Sequence, residues 1–273
     1  MSCMPAKPAR AIIVDDSSTL REVLAAYLSE EGVKVIAQFP SGKGLLQAIT
    51  QLAPDIVCLD YNLPGSNGIE LLKSIVSEYP NVAVVMITGE GGPKLHGIAA
   101  EVGAAGFVNK PFSQEQIAKE FRQIVQTLHF LTEAKKSSGT TGQSVAKTVV
   151  ASRALVVDDS RTIRAMLVAM LSQNGIQVVG EASNGMQAVE MAKELRPDIA
   201  FIDVVMPVMD GMEALKQIRQ ACPATRIVMI TASGTRELVV AALKEGAAGF
   251  IVKPLVAEKV SRVVAAMLAG NSV

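Results

Sequence analysis

The sequence predicts an α/β protein made of two doubly wound domains, and three observations carry this prediction. Short, nearly uninterrupted apolar runs alternate with stretches of helical periodicity, which is typical of a parallel sheet covered by helices on both faces. Acidic residues stand where the first and third runs end. The whole pattern then recurs, since Asp158 stands 143 positions after Asp15 and the same offset relates the other motifs. So long a period indicates duplicated domains rather than a solenoid.

Five apolar runs in the first half predict five strands separated by helices. The runs cover residues 11–14, 33–37, 55–60, 82–88 and 105–110. After the first run, Leu20, Leu24 and Leu28 would share one helix face, and Gly32 would end that helix. A longer helix is predicted over residues 113–136, with Ser113 as its N-cap.

Domain boundaries follow from a change in composition between the repeats. Residues 133–152 are rich in Ser, Thr, Gly and Lys, which is typical of a flexible linker. We therefore expect one domain over residues 8–132 and a second over residues 153–273.

Composition narrows the classes of function. The chain has 26 basic and 26 acidic residues, so it lacks the basic surplus that would predict nucleic acid as a partner. No apolar stretch approaches the roughly 20 residues of a membrane span, and the N-terminus does not resemble a signal peptide. The three cysteines have neither metal-binding nor CxxC spacing, which is typical of a reducing compartment. We expect a cytoplasmic protein with no membrane partner.

Polar residues that end the strands are expected to converge at one edge of each sheet. In an open parallel sheet, functional groups collect beyond the carboxyl ends of the strands. Two aspartates follow the first strand, another ends the third, a threonine ends the fourth and a lysine ends the fifth. These residues are Asp15, Asp16, Asp60, Thr88 and Lys110 in the first half, and Asp158, Asp159, Asp203, Thr231 and Lys253 in the second.

Three carboxylates at one site either raise one another's pKa or bind a cation. Since the ligands would be oxygen atoms, without His or Cys, Mg²⁺ or Mn²⁺ is the expected ion, one in each domain. A carboxylate beside a divalent cation and an ammonium can attack a phosphoryl group and form an acyl phosphate. Asp60 and Asp203 are the best nucleophile candidates, because each ends a central strand before an accessible turn.

Each of these residues also has an ordinary structural interpretation. A lone aspartate after a strand is more often a helix N-cap, and a lone lysine before proline is more often a solvated loop charge. Recurrence of the same five residues at the same strand ends in both halves favours the functional interpretation.

Each half resembles a receiver domain of bacterial two-component signalling, the fold of the chemotaxis response regulator. The resemblance is carried by VDDS, by DYNLPGSNG and DVVMPVMDG, by MIT, and by GAAGFVNKPF and GAAGFIVKPL. It implies two flavodoxin-like (βα)5 domains, each with a five-stranded parallel sheet of order 2-1-3-4-5.

The resemblance also implies roles for individual residues. The phosphoacceptors, which would receive a phosphoryl group from a histidine kinase or phosphotransfer protein, would be Asp60 and Asp203. The metal ligands would be Asp15, Asp16, Asp60 and the Asn62 carbonyl, and Asp158, Asp159, Asp203 and the Val205 carbonyl. The switch hydroxyls would be Thr88 and Thr231, the phosphoryl-contacting lysines Lys110 and Lys253, and the switch aromatics Phe107 and Phe250.

The halves differ at positions that flank the path of hydrolytic water in this family. Two residues after the nucleophile stand Asn62 and Val205, and two residues after the switch threonine stand Glu90 and Ser233. The polar residues of the first half are typical of receivers that dephosphorylate rapidly. We therefore expect the first domain to lose its phosphoryl group sooner than the second.

The start of the fourth helix in the first half is a second difference. Residues 89–93, GEGGP, disfavour helix, so we expect a mobile loop there and a weaker capacity for partner docking on that face. His96 follows this loop, and we expect it to be a surface or partly packed residue with no role in phosphoryl relay.

The function that follows is a response regulator acting through phosphorylation-dependent protein contacts rather than an enzyme. Too few residues follow the second domain for an output domain to be expected. A phosphate sink or relay intermediate stays an alternative, as does a scaffold in which one receiver serves mainly for dimerisation. A metal phosphatase is the enzyme alternative, but both halves lack the second aspartate typical of haloacid-dehalogenase-type phosphatases. A homodimer is a further alternative, and the sequence specifies neither the kinase nor the downstream protein.

Overall fold

The computed structural model describes residues 8–89, 93–137, 152–232 and 235–269. These residues form two compact units. Most of the predicted linker lies outside the described residues, and so do Ser233 and residues 90–92 of the loop predicted to be mobile, which include Glu90. Within the described ranges, no helix has both the length and the apolar character needed to cross a membrane.

The first unit alternates strands and helices as the apolar runs predict, with one small addition after the third strand. Its elements are β1 (Ala9–Val14), α1 (Ser18–Glu30), β2 (Val33–Phe39), α2 (Leu45–Leu52), β3 (Ile56–Asp60), β4 (Asn62–Leu63), β5 (Ser66–Asn67), α3 (Gly68–Glu78), β6 (Ala83–Thr88), α4 (Pro93–Val102), β7 (Gly106–Asn109) and α5 (Gln114–Ser137).

The second unit repeats this order without the small addition. Its elements are β8 (Arg153–Val157), α6 (Arg161–Gln173), β9 (Gln177–Ala182), α7 (Gly185–Leu195), β10 (Ile199–Asp203), α8 (Gly211–Ala221), β11 (Arg226–Thr231), α9 (Arg236–Lys244), β12 (Gly249–Val252) and α10 (Ala257–Leu268).

Both large sheets have the predicted strand order. The first runs β2-β1-β3-β6-β7 and the second β9-β8-β10-β11-β12, which is the order 2-1-3-4-5 when the five main strands of each unit are counted. Every pairing within these two sheets is parallel. All ten carboxyl ends therefore point to the same edge of their own sheet, which confirms the predicted fold class.

Alternate residues of each central strand belong to different core layers, as expected for a sheet buried on both faces. In β1, Ile13 lies in a layer with Leu24 of α1 and Phe121 of α5. Its neighbour Ile12 lies in the opposite layer with Leu72 of α3. This double burial explains why the strands read as continuous apolar runs rather than as alternating ones.

Element ends agree with the predictions to within about two residues, and the caps explain where the helices start. The Ser17 hydroxyl accepts the Leu20 N–H at 3.3 Å and so starts α1. At α5, the Ser113 hydroxyl accepts the Gln116 N–H at 3.3 Å, and the Gln116 side chain accepts the Ser113 N–H at 2.9 Å. This reciprocal pair is a capping box, and it confirms Ser113 as the N-cap. The Lys110–Pro111 and Lys253–Pro254 peptide bonds are both cis.

The turn after the third main strand differs between the units. In the first, β4 and β5 form a two-residue antiparallel ribbon that turns through Gly65, whose φ of 69° suits glycine. In the second, Val208 occupies the equivalent position with a φ of 70°. A β-branched residue is strained in this left-handed region, so the second unit keeps the turn at an energetic cost.

Val208→Gly is therefore expected to stabilise the second unit by about 1 kcal/mol, because relief of the left-handed strain exceeds the added backbone entropy of glycine. Hydrogen exchange of the full chain, read on peptides of the second unit, measures this gain. Val205→Gly is the matched control, since Val205 is 74% exposed in the same turn and its φ is not positive. Equal losses of protection in the two variants would contradict the assignment of strain to Val208.

Candidate functional site

The carboxyl edge of each large sheet gathers the predicted polar residues. Asp60 is the last residue of β3 and Thr88 the last of β6, while Asp15 directly follows β1 and Lys110 directly follows β7. Strand pairing continues into the edge, since the Lys110 N–H donates to the Thr88 carbonyl at 2.7 Å. Parallel register thus brings residues far apart in sequence to one place.

A lysine ammonium joins two carboxylates at the centre of the first site. Lys110 Nζ lies 2.7 Å from Asp15 Oδ2 and 3.0 Å from Asp60 Oδ2. Both aspartates are buried, at 2% and 3% exposure. Asp16 completes the acidic group but is exposed.

The second site reproduces this geometry. Lys253 Nζ lies 2.8 Å from Asp158 Oδ2 and 3.0 Å from Asp203 Oδ2. Asp158 and Asp203 are 0% and 5% exposed. The corresponding lysine–aspartate distances agree to within 0.1 Å, so both halves of the chain hold the same arrangement.

Hydrogen bonds from the following helix hold the first acidic residue of each site. Asp15 Oδ1 accepts the Ser17 N–H at 2.9 Å, and its backbone carbonyl accepts Arg21 Nη1 at 2.5 Å. In the second unit, Arg164 Nη1 donates to the Asp158 carbonyl at 2.7 Å. These arginines were missed by the sequence-based prediction. Their equivalent positions, 143 residues apart, were the signal that could have found them.

Glycine allows the next helix to start against the strand that ends in Asp60 or Asp203. A Cβ at Gly68 would lie 2.8 Å from the Asp60 carbonyl oxygen, and one at Gly211 would lie 2.0 Å from the Asp203 carbonyl oxygen. Either approach is too close for any other residue without a backbone shift. The two glycines therefore position α3 and α8, and with them the accessible turn beside each carboxylate.

The acidic groups have the composition of a divalent cation site. In each unit, the three carboxylates can place one oxygen atom apiece within 4.8 Å of the others. Three carboxylates against one ammonium leave two negative charges, which one divalent cation would neutralise. An all-oxygen donor set suits Mg²⁺ or Mn²⁺, so the residues fit the expected ion.

Burial and neighbouring charges shift the pKa values of the central groups. Burial raises the pKa of Asp60, although the hydrogen bond and charge of Lys110 oppose the rise. Burial, followed by the charge of Asp158, raises the pKa of Asp203 to about 7. Burial alone would lower the pKa of Lys110, but hydrogen bonds and charges from Asp15 and Asp60 outweigh it and the pKa is raised. Burial opposes the rise at Lys253 too, but the charges and hydrogen bonds of Asp158 and Asp203 raise the pKa of that lysine, so both lysines stay charged at neutral pH.

The surroundings of the two sites differ in polarity. A cleft of about 400 Å³ opens beside the first acidic group, lined by Asp16 and by residues 61–64, 66 and 67 of the hairpin turn. At the position of Asn62, the second unit carries Val205, which is 74% exposed. The turn of the first site is thus polar, and that of the second presents an apolar side chain to solvent.

The remaining predicted residues lie near the edge without joining the acidic group. Thr88 and Thr231 are buried at the ends of β6 and β11, each at 2% exposure. Phe107 and Phe250 lie on the neighbouring outer strands, half-buried and packed against the core. Their position beside the site agrees with core packing and with a switch role alike.

Comparison with known proteins identifies two matches to one family model along the chain. The model described as "Response regulator receiver domain" matches residues 11–122 and again residues 154–265. These two segments contain every predicted site residue.

Each of the relatives named below aligns with about two fifths of this chain. The chemotaxis protein CheY of Bacillus subtilis is 47% identical over 111 residues, which cover 41% of this chain and 92% of the relative. CheY of Thermotoga maritima is 44% identical over 115 residues, covering 42% of this chain and 93% of the relative. Among solved structures, the CheX–CheY–BeF3–Mg²⁺ complex of Borrelia burgdorferi is 35% identical, covers 42% of this chain and 88% of that chain, and has a TM-score of 0.42.

Cation binding at the second site is expected to weaken as the pH falls through about 7, because a ligand with that pKa must lose its proton before it coordinates. Calorimetric titration of the full-length Asp15→Asn protein with Mg²⁺ isolates this site. The midpoint should rise about tenfold between about pH 8 and about pH 6. Adding Asp203→Asn should give weaker binding with a flat pH profile. A midpoint independent of pH in the Asp15→Asn protein would contradict the raised pKa of Asp203.

Proposed function

Both halves of the chain belong to the response regulator receiver domain family, and from this premise we propose a two-component regulator that accepts phosphoryl groups on Asp60 and Asp203. The donor is a histidine kinase or a phosphotransfer protein. Phosphorylation changes the contacts that the receivers make with a downstream protein. The two free, buried cysteines of the described chain, Cys58 and Cys222, support the expected cytoplasmic location.

One observation carries the proposal: each unit holds a strand-end carboxylate against a lysine ammonium and within an acidic group. Both carboxylates are buried, at 3% and 5% exposure, directly before the turn that follows the strand. Complete sets in both units disfavour the scaffold alternative, since a receiver used only for dimerisation has no need of the acidic group.

The proposed reaction moves one phosphoryl group. A carboxylate oxygen of Asp60 or Asp203 attacks the phosphorus of a phosphohistidine and forms the P–O bond of an acyl phosphate. The P–N bond breaks, and its electron pair goes to the imidazole nitrogen of the donor. Lys110 or Lys253 neutralises charge on the transferred oxygens, and the hydroxyl of Thr88 or Thr231 donates a hydrogen bond to one of them.

Mg²⁺ held by the three carboxylates of each unit, with the carbonyl of Asn62 or Val205, would supply positive charge to the phosphoryl oxygens. The lysine cannot replace it, because a single ammonium leaves the acidic group with excess negative charge. The acidic group therefore sets a requirement for a divalent cation, and the carboxylate nucleophile is reactive only when that charge is balanced.

The second unit presents the stronger candidate surface for protein contact. Four large apolar side chains are 38–46% exposed along α9, at the end of β12 and just before α10; they are Val240, Leu243, Val252 and Val256. The first unit has small or polar residues at the equivalent positions, namely Gly97, Ala100, Asn109 and Ser113. This contrast supports a division in which the second receiver makes the downstream contact.

A phosphate sink is the second candidate function for the first receiver. The cleft beside the first acidic group favours it, since Asp16 and Asn62 both line this cleft, whereas the second unit has a valine at the position of Asn62. In this role the first receiver drains phosphoryl groups from the kinase that the second receiver shares.

Labelling with acetyl phosphate and Mg²⁺ tests the proposed function. Full-length Asp60→Ala and Asp203→Ala proteins are each expected to take up one phosphoryl group per chain, and the double variant none. Acid-labile incorporation measured by phosphate-affinity electrophoresis gives the count. Incorporation that survives in the double variant, or fails in the unsubstituted protein, would overturn the proposal.

The enzyme alternative predicts a different course of reaction. With an aryl phosphate and Mg²⁺, a phosphatase would release phenol continuously. The proposed regulator is expected to release phenol in a stoichiometric first phase. After that phase, it should release phenol only as fast as its acyl phosphate hydrolyses. Comparison with the double Asp60→Ala, Asp203→Ala protein corrects for background hydrolysis.

The lifetimes of the two acyl phosphates are expected to differ severalfold, with Asp60 the shorter-lived. A polar side chain beside the phosphoryl group can orient attacking water, whereas an exposed valine excludes it. In the Asp203→Ala protein, Asn62→Val should lengthen the lifetime of the Asp60 acyl phosphate. In the Asp60→Ala protein, Val205→Asn should shorten the lifetime of the Asp203 acyl phosphate. Decay after removal of acetyl phosphate measures both, and lifetimes unchanged by the exchange would rule out this role for the two positions.

A further inference from the structure

An arginine in the first helix of each unit lies against the backbone of the acidic pair. Arg21 Nη1 lies 2.5 Å from the carbonyl oxygen of Asp15 and 3.3 Å from that of Asp16. Arg164 makes the same two contacts in the second unit, at 2.7 Å and 3.3 Å. A guanidinium stays charged throughout the physiological pH range. Each acidic group therefore has a permanent positive charge beside it, in addition to that of its lysine.

The two arginines differ in the residue on their other side. Arg164 Nε lies 3.5 Å from Glu181 Oε2, and the two side chains are 11% and 48% exposed. The first unit has Gln38 at the position of Glu181, and both residues have the same register beside the first main strand of their sheet. Among the described residues, the buried Nε of Arg21 has no hydrogen-bond partner. One arginine is therefore paired with a carboxylate, and the other contacts carbonyl oxygens instead.

The exchange of glutamate for glutamine changes the charge around the acidic group. In the first unit, three carboxylates face the lysine and the arginine, which leaves one negative charge among these groups. In the second unit, Glu181 offsets the arginine, so two negative charges remain. The attraction of a divalent cation grows with this excess. Two acidic groups with the same types of ligand thus differ in the charge that surrounds those ligands.

We propose that the penultimate residue of the second main strand, Gln38 in β2 and Glu181 in β9, sets how tightly each receiver binds its divalent cation. Glu181 offsets Arg164 and so strengthens cation binding at the second acidic group. Gln38 leaves the charge of Arg21 unbalanced and so weakens binding at the first. Both residues act through the arginine and do not ligate the ion. This inference rests on the cation site of the proposed function, and it adds a device by which the two receivers respond to different concentrations of Mg²⁺.

Solvent limits the size of the effect. The Glu181 side chain is half exposed, and water and salt screen an exposed pair of charges. A change in affinity of about twofold to fivefold is the range that such a pair produces. Exchange of Gln and Glu changes the charge with almost no change in side-chain shape, so it tests charge and not packing.

Mg²⁺ binding at the first site is measured by calorimetric titration of the full-length Asp158→Asn protein. Gln38→Glu is expected to lower the midpoint about twofold to fivefold. Gln51→Glu is the matched control, because Gln51 is also exposed but lies in the last turn of α2, at the opposite edge of the sheet. This control should leave the midpoint unchanged.

The second site allows the converse experiment. In the full-length Asp15→Asn protein at about pH 8, Glu181→Gln should raise the Mg²⁺ midpoint about twofold to fivefold. The chain again supplies the control, because the counterpart of Gln51 is Glu194, which is exposed in the last turn of α7. Glu194→Gln should leave the midpoint unchanged.

Ionic strength separates an effect of charge from an effect on the fold. The shift caused by Gln38→Glu should be largest in about 0.05 M KCl and should shrink in about 0.5 M KCl, because the screening length falls from about 14 Å to about 4 Å. A shift of the same size at both salt concentrations would show that the substitution alters the strand edge, and it would refute the proposal.

Phosphorylation gives a second readout. Since the proposed transfer to Asp60 requires the cation, Gln38→Glu in the Asp203→Ala protein should lower the Mg²⁺ concentration needed for half-maximal labelling by acetyl phosphate. Labelling at saturating Mg²⁺ should equal that of the Asp203→Ala protein without the second substitution.

The outcomes distinguish this inference from the proposed function. If Gln38→Glu leaves the Mg²⁺ midpoint unchanged or raises it, or if Gln51→Glu lowers the midpoint equally, the role of Gln38 and Glu181 is refuted. The proposed function stands in either case as long as Asp60 and Asp203 are labelled in the presence of Mg²⁺. If the unsubstituted protein neither binds Mg²⁺ nor takes up a phosphoryl group, both proposals fail.

Discussion

Like charges crowded at the edge of a hydrophobic sheet are the constraint on which the rest of each unit depends. Three carboxylates that come within 4.8 Å of one another, two of them buried, would be unstable without compensation. The ammonium of Lys110 or Lys253 compensates in part. Supporting hydrogen bonds from Ser17 and Arg21 orient the first aspartate, and glycine lets the next helix approach. The negative charge that the ammonium leaves uncompensated is the reason that the edge can bind a cation.

Most of the fold and the central site residues could be predicted from the sequence. Apolar runs located every main strand, and the residues after them, such as Asp15 and Lys110, met at the edge because parallel strands leave no other arrangement. The resemblance supplied the strand order, which the structure confirms. Such features depend on the spacing of apolar residues and on strand direction, and both can be inferred from short stretches of the sequence.

Other features depend on contacts that no local pattern encodes. The path of a turn determines both the short ribbon of β4 and β5 and the left-handed conformation of Val208. A valine in the sequence does not predict a positive φ, because β-branched residues rarely adopt one. The stacking of His96 on Phe107 needs the packing of α4 against β7, so the sequence indicated only a partly packed residue. Roles for Asn62 and Val205 stay predictions, because they concern a phosphorylated state rather than the fold.

Double burial of the sheet has an evolutionary consequence. Ile12 and Ile13 are neighbours in the chain but face different core layers, so a substitution in one layer is largely unseen by the other. After a duplication, each layer can drift separately in each copy, and only the edge where both layers end must be retained. The architecture lets one chain hold two receivers that share an acidic edge and differ in the side chains around it.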